Sequence, residues 1–156
     1  MKVYPTAKII VDDLDIDQGS FIGDFVFIAL KRLKMDEGAQ INAHSSLTGG
    51  GEVILGRNVV VSYGARLISG TDQPAGKYMS DYMPEEERDV VRGTIFCDDG
   101  SFIGANAVVT VCRRHPEIVI GRNTVVGSGV YVDHSIEANM LVIPRKRLLF
   151  RPREIF

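Results

Sequence analysis

Apolar side chains recur every six residues along most of this chain, and few folds tolerate that period. The positions are Ile16, Ile22 and Ile28; Met35, Ile41, Leu47 and Val53; Leu55, Val61 and Leu67; Cys97, Ile103 and Val109; and Ile120, Val126 and Val132, sixteen in all. Two fragments return almost verbatim in this frame. Gly19-Ser20-Phe21-Ile22-Gly23 reappears as Gly100-Ser101-Phe102-Ile103-Gly104, and Leu55-Gly56-Arg57-Asn58-Val59-Val60-Val61 as Ile120-Gly121-Arg122-Asn123-Thr124-Val125-Val126. A second column lies four residues after the first: Ser20, Val26, Ala39, Ser45, Gly51, Val59, Ala65, Ser101, Ala107, Thr124 and Val130, all small or β-branched. A helix repeats every 3.6 residues and a sandwich strand every two, so neither explains a period of six with a small residue at a fixed offset. A short strand and a tight turn do. Three such sides close a coil of about 18 residues, and stacked coils bury a continuous apolar column that no single coil could bury.

Composition agrees where it bears on this point. Val (18) and Ile (15) outnumber Leu (9) by more than three to one, which favours extended chain over helix. The 156 residues form one domain, with a basic tail over 144–156. The breaks in the period carry as much information as the period. One residue is added between Ile28 and Met35, the step from Val53 to Leu55 is short, and five extra residues precede Ile120. The largest break, about 69–93, is polar, contains Pro74 and Pro84, and carries Glu85-Glu86-Glu87-Arg88-Asp89. An excursion of this length in a compact domain is usually functional or disordered.

A formal net charge of −2 excludes binding of nucleic acid through bulk positive charge. The sequence predicts no membrane span and no secretory leader, and two unpaired cysteines fit a reducing, cytoplasmic setting. Cys97 falls in the apolar column and reads as core; Cys112 has no partner at metal-ligand spacing.

The repeats over 16–146 resemble those of the hexapeptide-repeat acyltransferases, whose fold is an all-β, left-handed parallel β-helix. Handedness is what the resemblance implies, since periodicity is silent on it. Ser69-Gly70-Thr71-Asp72-Gln73, Gly76-Lys77-Tyr78-Met79, Pro84-Glu85-Glu86 and the preceding Leu47-Thr48-Gly49-Gly50-Gly51 are similar to the sugar O-acetyltransferases of lipopolysaccharide and O-antigen clusters. That resemblance implies transfer of acetyl from acetyl-CoA to a sugar hydroxyl, without a metal. It also implies a homotrimer with sites between subunits, and an excursion that reaches over the neighbour.

Attack of a hydroxyl on a thioester requires a base for the proton and a donor for the developing oxyanion. Histidine is the natural base near neutrality, and the chain has three: His44, His115 and His134. The family often carries a histidine within or beside the excursion. Here that region reads Thr71-Asp72-Gln73-Pro74, which departs from the pattern. His44, three residues after inward Ile41, points outward and is the candidate base; a solvated or interface histidine is the competing reading. Asp72 is placed to orient a base or bind a sugar hydroxyl, though a turn also favours Asp. The resemblance puts Gln73 and Tyr78 beside it at the substrate. For CoA, Gly104, Ala105, Gly127 and Ser128 are outward turn positions that a pantetheine arm could approach, although coil geometry demands small residues there too. His134 aligns with a lysine that contacts CoA in the family, and Arg145 and Lys146 fit its phosphate-binding end.

Two other readings use the same residues. An amine on a nucleotide-linked sugar, if deprotonated on arrival, needs no strong base, so the missing histidine favours N-acetylation. A non-catalytic solenoid would bind no acetyl-CoA. A carbonic anhydrase of the γ class is excluded, because His115 and His134 are nineteen residues apart and His44 is remote.

Overall fold

The computed structural model describes residues 1–144 and is a parallel β-solenoid with three faces. The first face is a seven-stranded parallel sheet: Lys2–Val3, Phe21–Ile22, Gln40–Ile41, Val60–Val61, Phe102–Ile103, Val125–Val126 and Leu141–Val142. The second and third faces begin as one sheet. Lys8–Ile16 and Phe27–Met35 each run around the corner between them as nine-residue strands. From the third coil upward the corner splits them. Ser46–Thr48, Arg66–Ile68, Val108–Thr110 and Tyr131–Val132 continue the second face. Glu52–Leu55, Thr94–Cys97 and Glu117–Ile120 continue the third.

Val3, Ile22, Ile41 and Val61 lie above one another, so each of the first three coils advances 19 or 20 residues rather than 18. The third face is the reason. It carries two inward residues per coil, Leu33 with Met35, Val53 with Leu55, Ile95 with Cys97, and Ile118 with Ile120. The short step from Val53 to Leu55 is therefore the second inward residue of a longer side. Of the sixteen apolar positions all but Ile16 are fully enclosed, and all eleven small positions are buried. Each enclosed Ile or Leu stabilises the stack by about 1.5–3 kcal/mol over exposure. Hydroxyls in the small column meet the coil above: Ser45 Oγ donates to the Ser62 carbonyl at 2.8 Å, and Thr124 Oγ1 to that of Glu137 at 2.6 Å.

The solenoid extends beyond the repeats at both ends. A first coil is built on Val3, Ile9 and Ile16. At the top Ile136 bridges to Ile120, and Val142 pairs with Val126. Turns reverse through left-handed residues in two corner columns, Phe25, His44, Gly64, Asn106 and Gly129 in one, and Gly38, Asn58, Gly100, Asn123 and Asn139 in the other. The only helix among the described residues is a single 3-10 turn, Glu85–Glu87, and none is long and apolar enough to cross a membrane.

Candidate functional site

The candidate site lies at the third corner, between the second and third faces. At the third coil it consists of Thr48-Gly49-Gly50-Gly51, with φ +104° at Gly49 and +68° at Gly50. A methyl group on Gly49 would overlap the backbone of Gly70, and one on Gly51 would overlap the Gly93 carbonyl. The glycines thus let the chain above leave and return in direct contact with this corner. Ser69, wholly buried, ties the exit together. Its Oγ donates to the Thr48 carbonyl at 2.9 Å and accepts from the Gly51 amide at 3.1 Å, while its own carbonyl accepts from the Gly93 amide at 2.7 Å.

Between Ser69 and Gly93 the excursion is a folded arm rather than an open loop. Gly70–Asp72 pairs antiparallel with Val90–Arg92, and the Gln73 amide extends the ladder to the Asp89 carbonyl at 2.7 Å. The Arg88 side chain is 8% exposed. It donates Nε to Asp72 Oδ1 and Nη2 to Asp72 Oδ2, both at 2.7 Å, and Nη2 also reaches Asp81 Oδ1 at 2.5 Å. Those hydrogen bonds hold the Asp72 carboxyl below the usual carboxylate range and push the guanidinium further up. Arg92 with Glu85, Lys77 with Glu87, and Arg113 with Asp89 complete the ion pairs, the last binding the arm to the 111–116 insertion.

Under the arm lies an open cleft of about 720 Å³. Its floor is Ala29-Leu30-Lys31 and Thr48-Gly49-Gly50, its roof Gly70-Thr71-Asp72 with Asp81, Arg88 and Arg92, and Ile10 and Asp12 close the lower edge. Exposed glycine backbone, two planar guanidinium groups and three carboxylates suit a ligand rich in hydroxyl or amine groups. Neither histidine nor cysteine lines it. Among the described residues no group of three or more His, Cys, Asp or Glu side chains could hold a metal ion.

The predicted site residues fall on more than one corner. Asp72 lines the cleft. Gln73 is in the arm ladder, and Tyr78 sits beneath Lys77, whose Nζ is 4.8 Å from the ring centre. His44 occupies the left-handed column between the first and second faces, exposed and stacked on Phe25 with ring centres 5.1 Å apart. It does not line the cleft, because the two turns after Ile41 and Leu47 belong to different corners. Gly104, Ala105, Gly127 and Ser128 lie on the His44 corner, higher up the stack. Gly104 is buried rather than outward: a methyl there would come within 2.6 Å of the Gly127 and Ser128 backbone, so coil contact alone requires glycine. His134 is on the same corner as the arm, two coils above it. Its Nδ1 is 2.8 Å from Asp133 Oδ1, and its ring centre is 6.3 Å from that of His115. Asp133 is held below the ordinary carboxylate range by that hydrogen bond. Cys97 is fully buried, and burial pushes its thiol up to about 12. Arg145 and Lys146 lie outside the described residues. Sequence reasoning missed Arg88, Lys31 and Arg92; the Gly49-Gly50-Gly51 run was the signal that something approaches this corner closely.

No protein-family model and no curated protein matches the chain. Solved structures do. AntD, an N-acyltransferase from Bacillus cereus, in a complex of a variant with dTDP and coenzyme A, superposes with a TM-score of 0.79 at 20% identity, covering 97% of this chain and 80% of AntD. A complex of another AntD variant with dTDP-4-amino-4,6-dideoxyglucose and coenzyme A gives 0.67 at 18% identity over 93% and 83%. A hexapeptide-repeat containing acetyltransferase from Vibrio cholerae gives 0.52 at 16% identity over 85% and 66%. At these identities the likeness is one of architecture: the chain has the solenoid fold of the hexapeptide-repeat acyltransferases.

Proposed function

We propose that this protein is an acyl-CoA-dependent acyltransferase whose acceptor is the amine of a nucleotide-linked amino sugar. The observation that carries the reading is the cleft under the arm, which offers a carboxylate held by an arginine but no imidazole. In the reaction the amine nitrogen bonds to the thioester carbonyl carbon, the carbon–sulfur bond breaks, and CoA leaves as the thiol with the proton lost by nitrogen. A neutral amine is nucleophilic enough to do this without a strong base, whereas a hydroxyl needs its proton removed as it attacks. The AntD complexes, with an amino sugar nucleotide and coenzyme A on the same solenoid, support this choice.

O-Acetylation of a sugar hydroxyl is the second reading, favoured by the His134–Asp133 pair and nearby His115. Asp133 would fix the imidazole tautomer, leaving Nε2 free as a base. The CoA contacts expected at Gly104, Ala105, Gly127 and Ser128 lie across the second face from His134. A cofactor touching both groups then lies along that face or in a groove shared with a second subunit. A homotrimer fits the exposed Phe25, Tyr63, Phe102 and Tyr131 around one corner, an apolar surface suited to a second copy of this chain.

Release of free CoA thiol decides between these readings. With acetyl-CoA and 3-hydroxyacyl-CoA, turnover is expected on nucleotide-linked amino sugars and not on the corresponding hydroxy sugars. Turnover restricted to hydroxy sugars, and lost in His134→Ala, would establish the second reading instead. No thiol release with any acceptor would leave a binding solenoid.

A further inference from the structure

We infer that Arg88 is a positioning residue for acyl transfer, fixing the Asp72 carboxylate in the orientation in which it receives the acceptor. The inference rests on the function proposed above. Its physical basis is the count of lone pairs. A carboxylate offers about four acceptor directions, two on each oxygen. Arg88 takes one from each Asp72 oxygen through a fork at 2.7 Å and 2.7 Å, which locks the plane of the group and leaves the other directions open. Asp72 lines the cleft with its side chain 16% exposed, and a remaining direction is assigned to a ligand there.

The fork is itself held. Nη2 of Arg88 is shared with Asp81 at 2.5 Å, and the side chain is 8% exposed. Residue 88 lies in the returning limb of the arm and Asp72 in the outgoing limb, so one guanidinium sets the arm's shape and aims the carboxylate. Lysine could match the charge but not the planar two-point grip. The other charged groups near Asp72 are Arg92, paired with Glu85, and Asp12 and Lys31 on the far side of the cleft. None of these makes a fork with Asp72. The Arg88 hydrogen bond is thus the largest cause of the lowered Asp72 carboxyl pKa.

The test compares Arg88→Lys, Asp72→Asn and the double variant in steady-state kinetics across pH. Arg88→Lys is expected to lower kcat/KM for the acceptor about a hundredfold, the cost of a misplaced contact. KM for the acyl-CoA should change little. Losing the fork raises the Asp72 pKa, so the carboxyl ¹³C titration of Asp72 should move to higher pH in Arg88→Lys. The double variant should lose no more than Asp72→Asn alone. An unchanged Asp72 titration and acceptor kcat/KM in Arg88→Lys, or additive losses in the double variant, would overturn the role. A second readout uses the wild-type protein and does not depend on the variants folding: carboxyl ¹³C titration of Asp72 with and without a nucleotide-linked amino sugar. A changed titration on adding the sugar supports contact at Asp72, and an unchanged one overturns it. If the protein binds the sugar and shifts Asp72 but releases no CoA, the acyl-transfer reading fails while the contact stands.

Discussion

Glycine at position 49 is demanded by a collision. The backbone there has φ +104°, and a side chain would run into Gly70 of the coil above. Gly50, one residue on, has φ +68°, and the nearest atom to a methyl there is Arg92 Nε at 3.4 Å, the end of a flexible side chain. Gly49→Ala is therefore expected to lower stability by more than about 2 kcal/mol, and Gly50→Asn by less than about 1 kcal/mol, measured by chemical denaturation. Equal effects would mean that the corner yields more than its contacts imply. Residue types reveal columns well because stacking repeats one requirement in every coil. Val3 and Ile9, and Ile136 and Val142, keep the six-residue spacing and mark the two coils that the run from Ile16 to Val132 leaves out. What a period of six cannot show is which of three corners a turn occupies. His44 points outward as its offset requires, yet at a different corner from the cleft, because the turns after Ile41 and Leu47 are successive corners of one coil.

The arm is the element whose existence was legible and whose structure was not. Its length and polarity mark an excursion, but its fold depends on pairs distant in sequence: Asp72 with Arg88, and Asp89 with Arg113. No local pattern announces such pairs, and Glu85-Glu86-Glu87 reads as solvated charge until Arg92 and Lys77 are placed beside it. The two ends of the arm meet, with the Gly93 amide on the Ser69 carbonyl at 2.7 Å. Replacing 70–92 by two glycines is therefore expected to preserve the solenoid, with a circular dichroism spectrum still dominated by strand and Tm within a few degrees. Acceptor turnover should be abolished. Collapse of the fold would show instead that the arm is structural. Arm stability also depends on pH: carboxyls with lowered pKa, Asp72 and Glu85, contribute fully above their unfolded values and lose that contribution as pH falls through the folded ones.

At the scale of the whole molecule the outer surfaces differ in kind. The third face sets Arg32 between Asp13 and Glu52, and Lys34 beside Asp15, a ladder of opposite charges that suits water. The corner between the first and second faces instead presents Phe25 and Tyr63, flanked by exposed Phe102 on the first face and Tyr131 on the second. Light scattering is expected to give three times the 17.2 kDa chain mass, and Tyr63→Glu to reduce it to one while leaving the strand spectrum intact. A monomeric wild type would remove the trimer. Each coil contacts only the coils above and below it, so stability is a sum over neighbours along one axis, and opening starts where a neighbour is missing. The arm leaves from the fourth of seven coils, between Arg66–Ile68 and Thr94–Cys97. Fraying from either end must therefore travel through several interfaces before it reaches the arm's root, which places the candidate site in the part of the stack that heat undoes last.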